Sequence, residues 1–215
     1  MNYLTKFMNK LFLIGAILFS VPSLAQQSYG IKVGGQTTGI TKAEMGDNQN
    51  QYGFYVGGFY TIQLKDNFSF QPELMYSYQS FNNVNVSYTE YFQIGQNDNT
   101  TEPRFDFKYK THLIKLPLLL KYQPNKIYVE AGPELAYLLS VHGKYTDKLN
   151  EIPSEDGKLE NIKHFQAAIA VGGGYKINDR LEAGLRLSWG LTKFSEYSYI
   201  KNFNVGIGIY FLFPR

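Results

Sequence analysis

The sequence predicts an all-β fold, an eight-stranded antiparallel up-and-down β-barrel. The main observation is the alternation of apolar residues with polar or small ones between Leu181 and Phe194, which is the period of a strand with one apolar face. This run is about as long as a tilted strand that crosses a bilayer. Similar runs recur along the chain, and the connections between them alternate between short and long. Together these features favour a transmembrane β-barrel of the smallest known size.

The composition narrows the classes of protein. The chain has 215 residues, 44% of them hydrophobic, and a mean hydropathy of −0.28, which excludes a bundle of membrane helices. A barrel remains possible because a membrane strand shows lipid only every second residue. The absence of cysteine excludes disulfides and a lipidated amino terminus. The net charge of +3, without a clustered stripe of Lys and Arg, argues against a nucleic-acid partner.

The amino terminus is predicted to be a cleaved secretory signal peptide. Two lysines precede an apolar stretch from Leu11 to Phe19, and Ser23-Leu24-Ala25 supplies small residues at the cleavage site. The apolar stretch is too short to span a membrane as a helix. The predicted organisation is therefore a signal peptide at 1–25 and a barrel domain at 26–215, exported through the periplasm and inserted in the cell outer membrane.

Eight strands are predicted, with tight turns at one end and longer connections at the other. The turns Lys65-Asp66-Asn67, Asn125-Lys126 and Asn178-Asp179-Arg180 contain Asn or Asp, which tolerate a left-handed backbone. Short turns on one rim and long loops on the other are typical of outer-membrane barrels. The predicted strands are 28–40, 51–64, 68–81, 108–123, 127–142, 163–177, 181–194 and 200–213. The predicted loops are 41–50, 82–107, 143–162 and 195–199.

The charged residues near two turns test this assignment. A two-residue turn at Asn125-Lys126 places Lys121 directly across from Glu130, and a three-residue turn after Ile177 places Lys176 across from Glu182. Opposite residues of a hairpin must point to the same face. Turn length, side-chain parity and charge therefore agree in both hairpins.

The apolar face of the strands is predicted to meet lipid. The other face carries small residues in several strands, which suit the crowded interior of an eight-stranded barrel. A soluble lipocalin-like barrel, with its apolar face inside, is the alternative. Aromatic residues near both strand ends indicate girdles at two membrane interfaces. The small or uncharged residues of the predicted inner face are Gly53, Gly57, Gln166, Ala168, Ala170, Gly172, Gly174, Gly184, Ser188, Gly190, Gly206 and Gly208.

The predicted inner face also carries charges of both signs in nearly equal number. Because an isolated buried ion is costly, such side chains must pair inside a narrow lumen. A structural ion-pair network that fills the lumen is the favoured interpretation. A gated ion path is the alternative, although a selectivity ring would need an excess of one sign. The predicted network comprises Lys32, Glu73, Lys115, Lys121, Glu130, Glu134, Lys176, Glu182 and Arg186.

Several segments in order resemble the PorT-type outer-membrane β-barrel family, a group of small Gram-negative barrel proteins. The most distinctive is the segment 112–122, HLIKLPLLLKY, with a proline inside a strand. The others are YGIKVGG at 29–35, FQPELMY at 70–76, YVEAGP at 128–133, GGGY at 172–175 and LRLSWGLT at 185–192. The resemblance implies the barrel fold and an outer-membrane location, and it carries no catalytic residue. Local bulges or kinks are expected at Pro72, Pro117 and Pro133, since proline cannot donate a ladder hydrogen bond.

A hydrolytic site needs a nucleophile, a base and an orienting acid within hydrogen-bond reach. The three histidines, His112, His142 and His164, lie near the loop ends of predicted strands, while Ser87 and Ser140 are candidate nucleophiles by residue type alone. No spacing selects a triad or a metal site. The sequence therefore predicts no catalytic residue, no cofactor and no metal.

The favoured function is a non-enzymatic integral outer-membrane protein with a structural or surface-binding role. Its partners would be outer-membrane lipid and an extracellular partner that contacts the long loops. A narrow channel for ions or small solutes is the alternative. An enzyme that acts on lipid or peptide at the rim is a third hypothesis.

Overall fold

Each long strand pairs with the next one along the chain, and the last strand returns to the first. The computed structural model describes residues 27–41, 47–87, 104–147, 157–158, 164–192 and 201–214. The strands are β1 (Gln27–Thr41), β2 (Asp47–Lys65), β3 (Phe68–Ser87), β4 (Arg104–Tyr122), β5 (Ile127–Asp147), β6 (Gly157–Lys158), β7 (Phe165–Asn178), β8 (Leu181–Gly190) and β9 (Lys201–Leu212). All pairings are antiparallel, and β1 pairs with both β2 and β9, which closes a ring of eight long strands. The short β6 pairs with the loop end of β5.

This ring confirms the predicted eight-stranded antiparallel barrel. The predicted signal peptide at 1–25 lies outside the described residues. Within the described part of the chain, no helix has the length and apolar character needed to cross a bilayer.

Five strands extend further toward the loops than predicted, β1 by one residue and β2 to β5 by four or more. β3 continues to Ser87, and β4 begins at Arg104, so part of the predicted 82–107 loop is paired strand. The alternation of apolar and polar residues detects a strand only where one face is apolar. Backbone pairing continues beyond that part, between residues that are polar on both faces. β8 is shorter than predicted and ends at Gly190.

Two turns are tighter than predicted. Lys65 pairs with Phe68, and Asn178 pairs with Leu181, so each of these hairpins has a two-residue turn beside a register shift. Asp66 has a φ of 48°, the left-handed conformation for which Asp is suited. Asn178 Oδ1 accepts a hydrogen bond of 2.8 Å from the Arg180 backbone N–H, which stabilises the second turn.

The alternation of burial confirms the predicted orientation of the faces. On β4, Lys115 and Lys121 are buried in the lumen, whereas Leu120 is 48% exposed on the outer wall. On β9, Ile207 is 66% exposed, and Tyr210 is buried. The apolar wall therefore faces outward, opposite to a soluble lipocalin-like barrel.

Large rings fill part of the lumen, which the prediction had filled with small residues and ions alone. Tyr55, Phe59, Tyr128 and Tyr210 are buried inside. Glycines make room for them: a Cβ at Gly34 would collide with the Tyr55 ring, and one at Gly184 would collide with the Tyr128 hydroxyl. Nearer the loops, the lumen contains an apolar cluster of Leu113, Ala136, Leu138 and Val141.

The bulges expected at the three prolines are absent, because no register shift occurs at any of them. Pro72 pairs with Leu118, and Pro133 pairs with Ile169, both in the register of the flanking residues. Pro117 pairs with Glu134, also without a shift. The missing donor of a proline removes one hydrogen bond, and the neighbouring rungs hold the register.

Candidate functional site

A layer of charged side chains crosses the lumen at Arg186 of β8. Its Nη1 and Nη2 donate to the two oxygens of Glu73 on β3, at 2.6 and 2.8 Å. Its Nε and Nη2 also donate to Glu130 Oε1 on β5, at 2.9 and 2.5 Å. One guanidinium therefore joins three strands through charge-assisted hydrogen bonds, which are among the strongest in proteins.

Lys32 completes this layer. Its Nζ lies 3.4 Å from Glu73 Oε2, and it lies over the ring of Tyr210, 4.4 Å from the centroid. Gln71 Nε2 donates to Glu73 Oε1 at 2.9 Å. We call Lys32, Glu73, Glu130 and Arg186 the central quartet. Its two cations and two anions balance, and all four side chains are buried.

One buried ion pair lies on each side of the quartet. Toward the turns, Lys121 Nζ lies 2.5 Å from Glu182 Oε2 and 3.9 Å from the centroid of the Tyr128 ring. Toward the loops, Lys115 Nζ lies 2.9 Å from Glu134 Oε1. Ser188 Oγ donates to the other oxygen of Glu134 at 3.4 Å. The charged residues therefore form three layers along the barrel axis.

The predicted cross-strand registers are confirmed, but the ion pairs differ from them. Lys121 pairs with Glu130 in register, and Lys176 pairs with Glu182. The ammonium of Lys121 nevertheless contacts Glu182, and Glu130 contacts Arg186. Inward-facing side chains reach across the narrow lumen, so register does not choose their partners.

Lys176 lies apart from the other predicted residues. Its Nζ contacts Asp179 Oδ1 at 2.9 Å, at the turn rim, where Asp179 is almost fully exposed. The hydrogen bond from Lys176, together with its charge, lowers the pKa of the Asp179 carboxyl below its usual value. An exposed pair of this kind contributes little to stability.

The inward tyrosines beside the quartet were missed by the sequence analysis. Tyr210 Oη accepts a hydrogen bond of 3.3 Å from Arg186 Nη2, and Tyr128 lies against Lys121. The alternation along each strand could have assigned both tyrosines to the lumen. Tyr128 is at an even position of β5, as Glu130 is, and Tyr210 is at an even position of β9, as Gly208 is.

Two cavities lie on opposite sides of the central quartet. The cavity at the turn end has a volume of about 710 Å³ and is lined by residues that include Lys121, Gln123 and Glu182. The cavity toward the loops has a volume of about 20 Å³ and is lined in part by Lys115 and Glu134. The quartet lines neither of these cavities. The second has room for about one water molecule.

The three histidines lie at the loop end, but their contacts do not resemble a triad. His112 Nδ1 lies 2.6 Å from Tyr76 Oη, and His164 Nδ1 lies 2.8 Å from the Leu138 carbonyl oxygen. Ser140 pairs with His112 in register. The side chain of Ser87 lies outside the described residues. Among the described residues, no group of three His, Asp or Glu side chains is arranged to hold a metal ion.

The family described as "Outer membrane protein beta-barrel domain" matches residues 24–196, most of the chain. The chain belongs to this family. Together with the closed barrel and its apolar outer wall, this membership places the protein in the cell outer membrane as a small integral protein. No curated protein matches the chain significantly.

Several solved outer-membrane proteins match this chain at low sequence identity. Ail of Yersinia pestis, solved with the heparin analogue sucrose octasulfate, is 12% identical, with 87% of this chain and 99% of Ail covered and a TM-score of 0.44. Neisserial surface protein A is 10% identical, with 87% and 99% covered and a TM-score of 0.49. The outer-membrane protease OmpT from Escherichia coli is 13% identical, with 88% and 96% covered and a TM-score of 0.38. These identities are too low to transfer a role.

Proposed function

We propose that the protein is a closed, non-enzymatic outer-membrane barrel of the PorT type, with a structural or surface-binding role. Its lumen would be a structural plug. Its working surface would be the loop rim, where the connections near 82–107 and 143–162 meet an extracellular partner. Loops carried by a rigid scaffold are common binding surfaces.

The central quartet is the observation that supports this proposal. Arg186 and Glu73 reach each other across the lumen, and both are at most 7% exposed. A conducting pore needs a continuous column of water or a ring of one sign. The central quartet is neutral overall and packs against Tyr55 and Tyr210, so it provides neither a column of water nor a ring of one charge. Each charge of such a buried network must keep an opposite charge beside it, because removing one partner leaves an uncompensated charge.

Single-channel recording in planar bilayers tests the closed lumen. We expect no current from the wild-type protein after insertion has been verified by protease protection. The variant Arg186→Ala/Glu73→Ala removes two large paired side chains and should admit water and a small current. The matched control Lys176→Ala/Asp179→Ala removes an exposed pair at the rim and should stay silent. Current through the wild type would contradict the proposal.

A narrow channel is the second candidate function. The observation that favours it is the wide cavity at the turn end, about 710 Å³, which is lined by inward residues as far as Lys121 and Glu182. A channel would show wild-type current that depends on voltage or on a solute. The same recordings therefore separate the two functions.

A rim-site enzyme is the third candidate. The contact of His112 with Tyr76, and the position of Ser140 across from His112, are the observations that favour it. Wild-type protein would then hydrolyse a lipid or a peptide, and single substitution of His112, His142 or His164 would abolish the turnover. Inactivity of the wild type across such substrates would exclude this candidate.

A further inference from the structure

We propose that the outer wall of β4 and β5 binds the phosphate groups of an anionic lipid in the leaflet that the long loops face. The site comprises Lys108, Lys110, His142 and Lys144, which we call the outer basic patch. This site goes beyond the proposed function, because it lies on the membrane-facing wall and is independent of whether the lumen conducts.

The register of the two strands brings these four residues together. Lys108 pairs with Lys144, and Lys110 pairs with His142. Residues that pair across a ladder share a face, with Cβ atoms about 5 Å apart. Thr111, the neighbour of Lys110, is buried in the lumen, so Lys110 points outward. Three lysines of the patch are exposed.

The positive charges of the patch favour the binding of an anion. Like charges directly opposite each other destabilise a sheet, and here Lys108 lies opposite Lys144, with Lys110 and His142 on the next rung of the same face. Among the residues of β4 and β5 whose side chains are described, none on this outward face is acidic. A bound anion with more than one charged oxygen would relieve this repulsion.

The height of the patch points to a lipid headgroup. Below it, Ile114, Leu116, Leu118 and Leu120 form the apolar outer face of β4, from His112 down to Tyr122 at the turn rim. Roughly ten residues at about 3.4 Å each, tilted by about 40°, span about 26 Å of membrane, close to the apolar band of outer-membrane barrels. Lys110 and Lys108 then lie about 5 and 10 Å beyond that band, at the level of the headgroups.

Aromatic side chains form the membrane side of the patch. Tyr76 Oη lies 2.6 Å from His112 Nδ1, the Tyr78 ring lies 5.2 Å from the His112 ring, and Phe54 stacks on Tyr78 at 5.6 Å. Rings with one polar end are typical of the interface. Lysines above such rings can lay their stems along the apolar surface and extend their ammonium groups to phosphates.

Lipid titration of the full chain in zwitterionic detergent micelles, followed by native mass spectrometry, tests the site. The probe is lipid A, a bisphosphorylated glycolipid, with phosphatidylcholine as the neutral lipid and inorganic phosphate as the free anion. The test variant is Lys108→Gln/Lys110→Gln/Lys144→Gln. The matched control is Lys65→Gln/Lys126→Gln/Arg180→Gln, which removes three exposed charges from the turn rim.

We expect wild type and control to prefer lipid A to phosphatidylcholine, and the test variant to lose about a hundredfold in lipid A affinity, since each basic side chain near an anionic surface contributes roughly fivefold. Without lipid A, the test variant should unfold at an equal or higher urea concentration than wild type, because the repulsion between Lys108 and Lys144 is gone. Equal lipid A affinity in wild type and test variant, or an equal loss in the control, would overturn the proposal. Displacement of lipid A by inorganic phosphate at a similar concentration would assign the patch to a free anion and overturn it as well.

Discussion

Arg186 and Glu73 are 113 positions apart in the chain, yet two parallel hydrogen bonds of 2.6 and 2.8 Å join the guanidinium to the carboxylate inside the barrel. This contact ties β8 to β3 across the lumen, whereas the backbone of β8 pairs with β7 and β9. The quartet therefore links opposite walls of the barrel.

Replacement of Arg186 by Met should destabilise the barrel by about 3–5 kcal/mol, because Glu130 would lose the cation that it contacts, and Glu73 would keep Lys32 at 3.4 Å but lose its two shorter charged contacts. Urea unfolding in vesicles, followed by the loss of strand circular dichroism, measures this. The exposed control Arg180→Met should change stability little. Adding Glu130→Gln to the Arg186 variant should recover most of the loss, because the remaining Lys32–Glu73 pair is balanced in charge. A double variant as unstable as the single one would contradict a charge-based role.

A double-mutant cycle identifies the partner of Lys121. We expect a coupling energy of about 1–3 kcal/mol between Lys121→Met and Glu182→Gln, because their charged groups are 2.5 Å apart and buried. The cycle of Lys121→Met with Glu130→Gln should give a smaller value, since Glu130 contacts Arg186. A larger coupling to Glu130 than to Glu182 would restore the pairing that register alone suggests.

Adjacent glycines on β1 should respond in opposite ways to alanine. A Cβ at Gly34 would collide with the Tyr55 ring and the Ile207 carbonyl, whereas a Cβ at Gly35 meets nothing within 4 Å. We expect Gly34→Ala to lower the free energy of unfolding by about 1–3 kcal/mol, as overpacking does. Gly35→Ala should be neutral or slightly stabilising. The pair is compared by urea midpoints in the same vesicles, and similar midpoints would contradict a packed lumen.

Trp189 provides a test of the membrane orientation, because it is the only tryptophan of the chain. It is 41% exposed on the outer wall and lies 5.5 Å from the Phe203 ring. Its fluorescence should be quenched by brominated lipids, most strongly when the bromine is near the headgroup, as expected of an interfacial ring. If brominated lipids leave the Trp189 fluorescence unchanged and aqueous iodide quenches it efficiently, this placement is contradicted.

Much of the architecture follows from local signals. The alternation around Leu185 and Arg186 predicts β8, and the residues Asp66 and Asn178 predict tight turns. These signals act within one hairpin, so one stretch of sequence contains them completely. The strand ends near Ser87 and Arg104 could not be predicted in the same way, because polar residues that pair outside the membrane leave no alternation of burial.

The candidate sites were predictable only in part. Parity assigned Lys121, Glu130 and Glu182 to the lumen, where all three are buried. It could not say that Lys121 contacts Glu182, 61 positions away, rather than Glu130 across the rung. Nor did the sequence show a cluster of lysines, because Lys108 and Lys144 become neighbours only when β4 and β5 pair.

The sequence by itself determined the strands, the turns and the choice of inward and outward residues, because these depend on a period of two and on backbone preferences of single residues. The tertiary structure decided which charges meet in the lumen, which rings the glycines accommodate and which lysines share the outer wall. Those contacts depend on how eight strands close and stagger, and that geometry is a property of the complete ring.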